Sequence, residues 1–101
     1  MSDKLATEFL SYVQRLSDRL GPTIPESDRQ VQSYFNKASD IWQLLNEEQR
    51  YNVSLRGDWF HFNKFARLEN QRNPNKTITT RPRWHNGVAS SLEFYITIEE
   101  H

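Results

Sequence analysis

Hydrophobic positions along this chain recur every three to four residues as far as Arg72 and every second residue from Thr77 onward. The first spacing is that of amphipathic helices, the second that of half-buried strands. Over residues 2–20, Leu5, Ala6, Phe9, Leu10, Tyr12, Val13, Leu16 and Leu20 share one side at about 100° per residue. Glu8, Ser11, Arg15, Asp18 and Arg19 take the other. Ser2 is placed to cap this helix, with Asp3 near the positive end of its dipole, and Gly21-Pro22 stop it. Both charge signs mix on the polar face, which suits a helix packed on a core and not one lying on a membrane.

After the stiff connector GPTIPES, Val31, Tyr34, Phe35, Ala38, Ile41, Trp42 and Leu45 form a second apolar stripe. Thr23 and Glu26 have capping-box spacing and Ser27 competes as the cap. The pair predicts an antiparallel helical hairpin. Asn46 heads NEEQ, a further capping box, so a short third helix is expected through about Leu55, ended by Gly57. The alternation of Tyr51, Val53 and Leu55 offers a third strand over 51–55 instead. Asp58 caps a fourth helix that the sequence Asn73-Pro74-Asn75 terminates.

The period-two region holds Val88, Ser90, Leu92, Phe94, Ile96 and Ile98 on one side, preceded by KTITTRPRW with Ile78, Thr80, Pro82 and Trp84 on one side. A three-residue loop, His85-Asn86-Gly87, would pair Trp84 with Val88 and Ile78 with Phe94. That places every large apolar group on one face, so the burial pattern selects it over a two-residue Asn86-Gly87 turn. Pro82 cannot donate to a ladder and makes its strand an edge. An isolated hairpin is marginal in water, so the helices must cover it. The fold class is α+β: an N-terminal antiparallel helical hairpin and one or two further helices packed on a C-terminal antiparallel β-hairpin, in a single domain over 1–101.

Composition narrows the chemistry. The chain has 101 residues, room for one core, and 13% of them are aromatic, too many for a disordered chain. A core this small gives a modest stability margin, which makes a protein partner or self-association an expectation. There are no cysteines, which removes disulfides, thiolate metal sites, thiol nucleophiles and iron–sulfur clusters. No apolar run approaches the roughly 20 residues that span a bilayer, and Met1 leads into SDKLATEF, so a cytoplasmic location is expected.

The three histidines show no local two-ligand spacing, no nucleophile elbow is present, and the three glycines each punctuate an element. Catalysis, cofactors and metals are therefore not expected.

Net charge is zero, yet Arg56 to His85 carries seven cations against two anions, 7 − 2 = +5, while the first fifty residues carry six against eight, 6 − 8 = −2. On a wheel of the fourth helix, Trp59, Phe62, Phe65 and Ala66 form one apolar arc. Phe60, Lys64 and Leu68 form a separate row among His61 and Arg67. An aromatic anchor with an aliphatic neighbour and a basic rim has the composition of an interface. If the helix is buried on two sides, Phe60 and Leu68 belong to the core instead. Arg81, Arg83 and Trp84 add to the surface at the hairpin tip.

The expected partner is another protein, one with an acidic surface suiting these cations, or a second copy of the chain. A nucleic-acid-binding module using Lys64, Arg67, Arg81, Arg83 and Trp84 is the alternative, with cations on phosphates and rings on bases.

Overall fold

The computed structural model describes residues 3–101, apart from the side chains of Ser91 and Leu92. Four helices precede one hairpin: α1 Lys4–Arg19, α2 Arg29–Leu44, α3 Glu47–Arg56, α4 Trp59–Arg72, β1 Lys76–His85 and β2 Val88–Glu100. Helices come first and strands last, an α+β arrangement.

Local signals explain most boundaries. Asp3 caps α1, its side chain accepting from the Ala6 N–H at 3.1 Å; the Ser2 cap lies outside the described residues. Asp28 caps α2 by accepting from the Gln30 and Val31 N–H groups, so neither Thr23 nor Ser27 takes that role. A carboxylate holds two amides at the positive end of the helix, which a hydroxyl does less well. The capping box of Asn46 and Gln49 forms as expected and starts α3. Residues 51–55 are therefore helical, and the third strand does not form: local capping outweighs a three-residue alternation.

Partner numbers fall along α2 as they rise along α1: Asp28 meets Arg19, Lys37 lies over Tyr12, and Trp42 packs on Phe9. The two helices are thus antiparallel. Phe9 stands at the centre of the core, its ring 4.9 Å from that of Phe65, 5.2 Å from Trp42 and 6.1 Å from Phe62. Phe62 in turn reaches Phe94 on β2 at 5.1 Å, which ties the helical layer to the sheet. Each such ring pair contributes about 0.5–1.5 kcal/mol beyond burial.

The hairpin corrects the expected register. Asn86 and Gly87 both have positive φ, 53° and 79°, the two-residue type I′ turn that suits the strand twist. His85 consequently faces Val88 and Trp84 faces Ala89. Between Pro82 and Arg83 the register shifts, so that Pro82 faces Phe94 and Ile78 faces Ile98. A bulge in β2 supplies the shift, at the point where Pro82 weakens the ladder. It lets the favoured turn coexist with burial of Phe94, an option that a single uninterrupted register excludes. Trp84 is thereby left 68% exposed.

Glu69 is the one carboxylate in the described core, 3% exposed. It accepts from Ser39 Oγ at 2.7 Å and Gln43 Nε2 at 2.8 Å, pinning α4 to α2. Glu69→Ala removes both acceptors while Ser39 stays buried, so urea denaturation should show a loss of about 1–3 kcal/mol. An unchanged midpoint would mean that the bonds contribute nothing.

Asp28 makes a second test. The bond from Arg19, then those from the helix amides, hold its carboxyl below the usual value near 3.8. Asp3 is held low in the same direction by the Asn52 amide and then the Ala6 N–H. A depressed carboxylate contributes stability above its unfolded pKa and loses it as pH falls through the folded one. Melting temperature should therefore fall below about pH 4, and less steeply for Asp28→Asn, which can still cap but carries no charge. Equal slopes would exclude this origin.

Candidate functional site

The expected site residues divide into those the fold consumes and those it leaves in water. Leu68 is buried, 5% exposed, so the Phe60/Lys64/Leu68 row does not exist as a surface. Lys64 donates from Nζ to the carbonyls of Ser17 and Leu20, at 3.1 and 3.2 Å. It thereby satisfies the orphan acceptors at the end of α1 and places a cation at the negative pole of that helix. His61 is half-buried and shares a hydrogen bond with the Ser17 hydroxyl. Arg67 stays exposed, with its guanidinium paired to Glu26 at 2.8 Å.

The rest of the positive segment is similarly engaged. Arg56 donates to Thr7, Arg72 lies over Phe35, and Lys76 sits 3.7 Å from Glu100. Most of these cations thus have a contact within the domain.

Arg81, Arg83, Trp84 and Phe60 remain. Phe60 is 64% exposed and its ring lies 5.7 Å from that of Trp59. Trp59 Nε1 donates to Thr80 Oγ1 at 2.8 Å, so this pair flanks β1. Arg81 and Arg83 both reach over the ring of Tyr95 on β2, Arg83 at 4.1 Å and Arg81 at 5.7 Å. No ion pair involves either arginine among the described residues. Arg81 faces Tyr95 across the ladder, on the sheet side opposite Phe94, Ile96 and Ile98. Trp84 and Val88 stand in water at the hairpin end.

Beside this surface lies a cleft of about 690 Å³ between α3 and β2. One wall carries Arg50, Tyr51 and Ser54 of α3; the other carries Ile96, Ile98 and Glu100 of β2, with Arg83 and Tyr95 at one end. Tyr51 is more than half exposed. Arg50 stacks on Trp42 at 4.6 Å and donates to the Trp42 carbonyl at 3.0 Å. Burial holds its guanidinium pKa below the ordinary value. The Nε–H groups of Arg50 and Arg83 are buried with no acceptor among the described residues. The cleft is therefore lined by two tyrosine rings, two isoleucines, two arginines and two glutamates.

Known protein families, curated proteins and solved structures yield no match to this chain.

Sequence patterns did not point to the cleft. Its two walls are separated by some forty residues, and Arg50 reads as a solvated helix residue until Trp42 is placed beneath it. A signal did exist for Glu69, which falls inside the apolar arc of α4 between Phe62 and Phe65, where a carboxylate must find partners.

Among the described residues no helix is long and apolar enough to cross a membrane.

Proposed function

We propose that this is a small non-enzymatic interaction or regulatory protein that binds another protein through its hairpin. The surface consists of Arg81, Arg83 and Tyr95 on the open face, Trp84 and Val88 at the tip, and the cleft alongside. The observation that carries this reading is the exposure of Trp84 and Val88, 68% and 67%, beside two arginines without acidic partners. Large apolar groups and arginine are the residue types that anchor protein interfaces.

Nucleic-acid binding is less well supported. Of the five residues it would use, Lys64 and Arg67 are occupied at α1 and Glu26, away from Arg81 and Arg83. Stacking of bases on Tyr95 would compete with the guanidinium already over that ring.

The test is site-specific photo-crosslinking in cells of the native host, with the photoreactive residue placed at Trp84, Val88 or, as a control, Glu8. Discrete protein adducts are expected from the hairpin positions and not from the control, and should be lost on Arg81→Ala/Arg83→Ala. Adducts equally abundant at Glu8, or oligonucleotide binding by fluorescence anisotropy that weakens steeply with salt, would overturn the reading.

A further inference from the structure

The two edges of the hairpin differ. On the β1 side, the Asn70 side chain accepts from the Ile78 N–H at 2.7 Å and donates to the Ile78 carbonyl at 2.9 Å. Helix α4 thus plugs that edge with an amide that imitates a neighbouring strand. The same clamp fixes the direction of every peptide group in the ladder. Both polar groups of Ile78 point away from β2, so Ile78 and Ile98 form a non-hydrogen-bonded pair. The N–H and C=O of Ile98 then point away from β1, and with a period of two so do those of Ile96. Pro82 agrees: opposite Phe94 it occupies the same class of site, where its missing N–H removes no ladder bond.

The backbone groups of Ile96 and Ile98 therefore face outward on the β2 side, where the cleft lies. The lining shows that the cleft reaches the strand's edge and not one face alone. Ile96 and Ile98 project from one side of β2 and Tyr95 from the other, yet all three line it. No turn, loop or side-chain group among the described residues bonds to the Ile96 or Ile98 backbone. An open edge of this kind is a template for another strand.

We propose that the cleft receives an extended, carboxylate-bearing segment of a partner protein as a third strand on the outer edge of β2. The proposal rests on the protein-binding reading above and names its mode. Ile96 to Glu100 provide length for a segment of about five residues at roughly 3.3 Å each. Charge complementarity selects the carboxylate: Arg50 and Arg83 both line the cleft, and neither guanidinium is in an ion pair among the described residues. Of the two carboxylates at its margin, Glu100 is already beside Lys76 and Glu47 is exposed in the first turn of α3. A second copy of this chain is the competing occupant, because its β2 carries Glu93, Glu99 and Glu100, and a dimer is one of the outcomes tested below.

The test has two stages, both read by amide hydrogen exchange on the intact protein. In the free protein, Ile96 and Ile98 amides should exchange at least tenfold faster than those of Tyr95 and Thr97, which the ladder protects. Equal protection would mean that the edge is closed and would end the proposal, while leaving hairpin crosslinking untouched. The second stage adds a blocked hexapeptide of alternating Val and Thr with one central Asp, at millimolar concentration. Ile96 and Ile98 should slow tenfold or more. A version N-methylated at alternate residues should have no effect, and a version with Lys for Asp should bind at least tenfold more weakly. Arg83→Ala should abolish the preference for Asp over Lys; Arg50→Lys, which keeps a cation over Trp42, should reduce it. No slowing with the Asp peptide, equal slowing with the Lys peptide, or a dimer by light scattering whose formation protects these amides would each overturn the proposal.

Discussion

Phe62→Ala should leave the protein largely unfolded at room temperature. The ring is fully buried and is the junction of the structure, within 5.6 Å of Trp42, 5.8 Å of Phe65, 6.1 Å of Phe9 and 5.1 Å of Phe94. Removing it opens a cavity that α1, α2 and β2 all border, and none can close it without leaving its other partners. Phenylalanine-to-alanine changes in such sites cost about 3–5 kcal/mol, against a total of about 5–15 kcal/mol for a domain. A chain of this size with one core stands at the lower end of that range. Two positions away on the same helix, Phe60→Ala should change stability by less than about 0.5 kcal/mol, since that ring is in water. Guanidinium or urea titrations of the pair check both numbers; similar losses for the two variants would refute the division of α4 into a buried and a wet side.

Trp84→Ala should do the reverse: leave the melting temperature in place and weaken partner binding by about 30-fold or more. An aromatic anchor at an interface contributes about 2 kcal/mol or more, and 1.4 kcal/mol is a factor of ten. Because Trp84 is mostly exposed, its loss leaves no cavity. Lys64→Met supplies the contrast. It strips the cation from the end of α1 and should lower the melting temperature, yet leave the affinity unchanged. Titration calorimetry with the crosslinked partner, once purified, reads both. Equal affinity for Trp84→Ala and the native protein, or a binding defect in Lys64→Met, would move the interface off the hairpin and onto α4.

The helices were legible because each depends on information local to it. The Asn46–Gln49 capping box, the Asp58 cap and the apolar stripes of α1 and α2 lie within a few turns of chain, and the structure follows them. Capping-box spacing favours Thr23 over Asp28, since it does not measure how well a side chain reaches two amides. The hairpin register depends on a bulge, and a bulge is a trade between turn geometry and burial that alternation alone does not express.

The candidate site was legible only in part. Phe60, Arg81, Arg83 and Trp84 are exposed or half-exposed at the surface, as their sequence positions suggest. One helical wheel places Leu68, Lys64, His61 and Arg67 on the same surface. A wheel places residues around one helix but is silent on what packs against it. Here α1 covers His61 and Lys64, and the connector before α2 supplies Glu26 to Arg67. The cleft needed α3 and β2 to be brought together, and no pattern within either element carries that.

Recognition is proposed to take place on the hairpin and its α3-side cleft, not on α4. Hydrogen-exchange mass spectrometry of the protein with and without its crosslinked partner tests it most directly. Added protection is expected in peptides covering 81–85 and 88–100, with 59–72 unchanged. Protection confined to 59–72, with the hairpin unaffected, would contradict it.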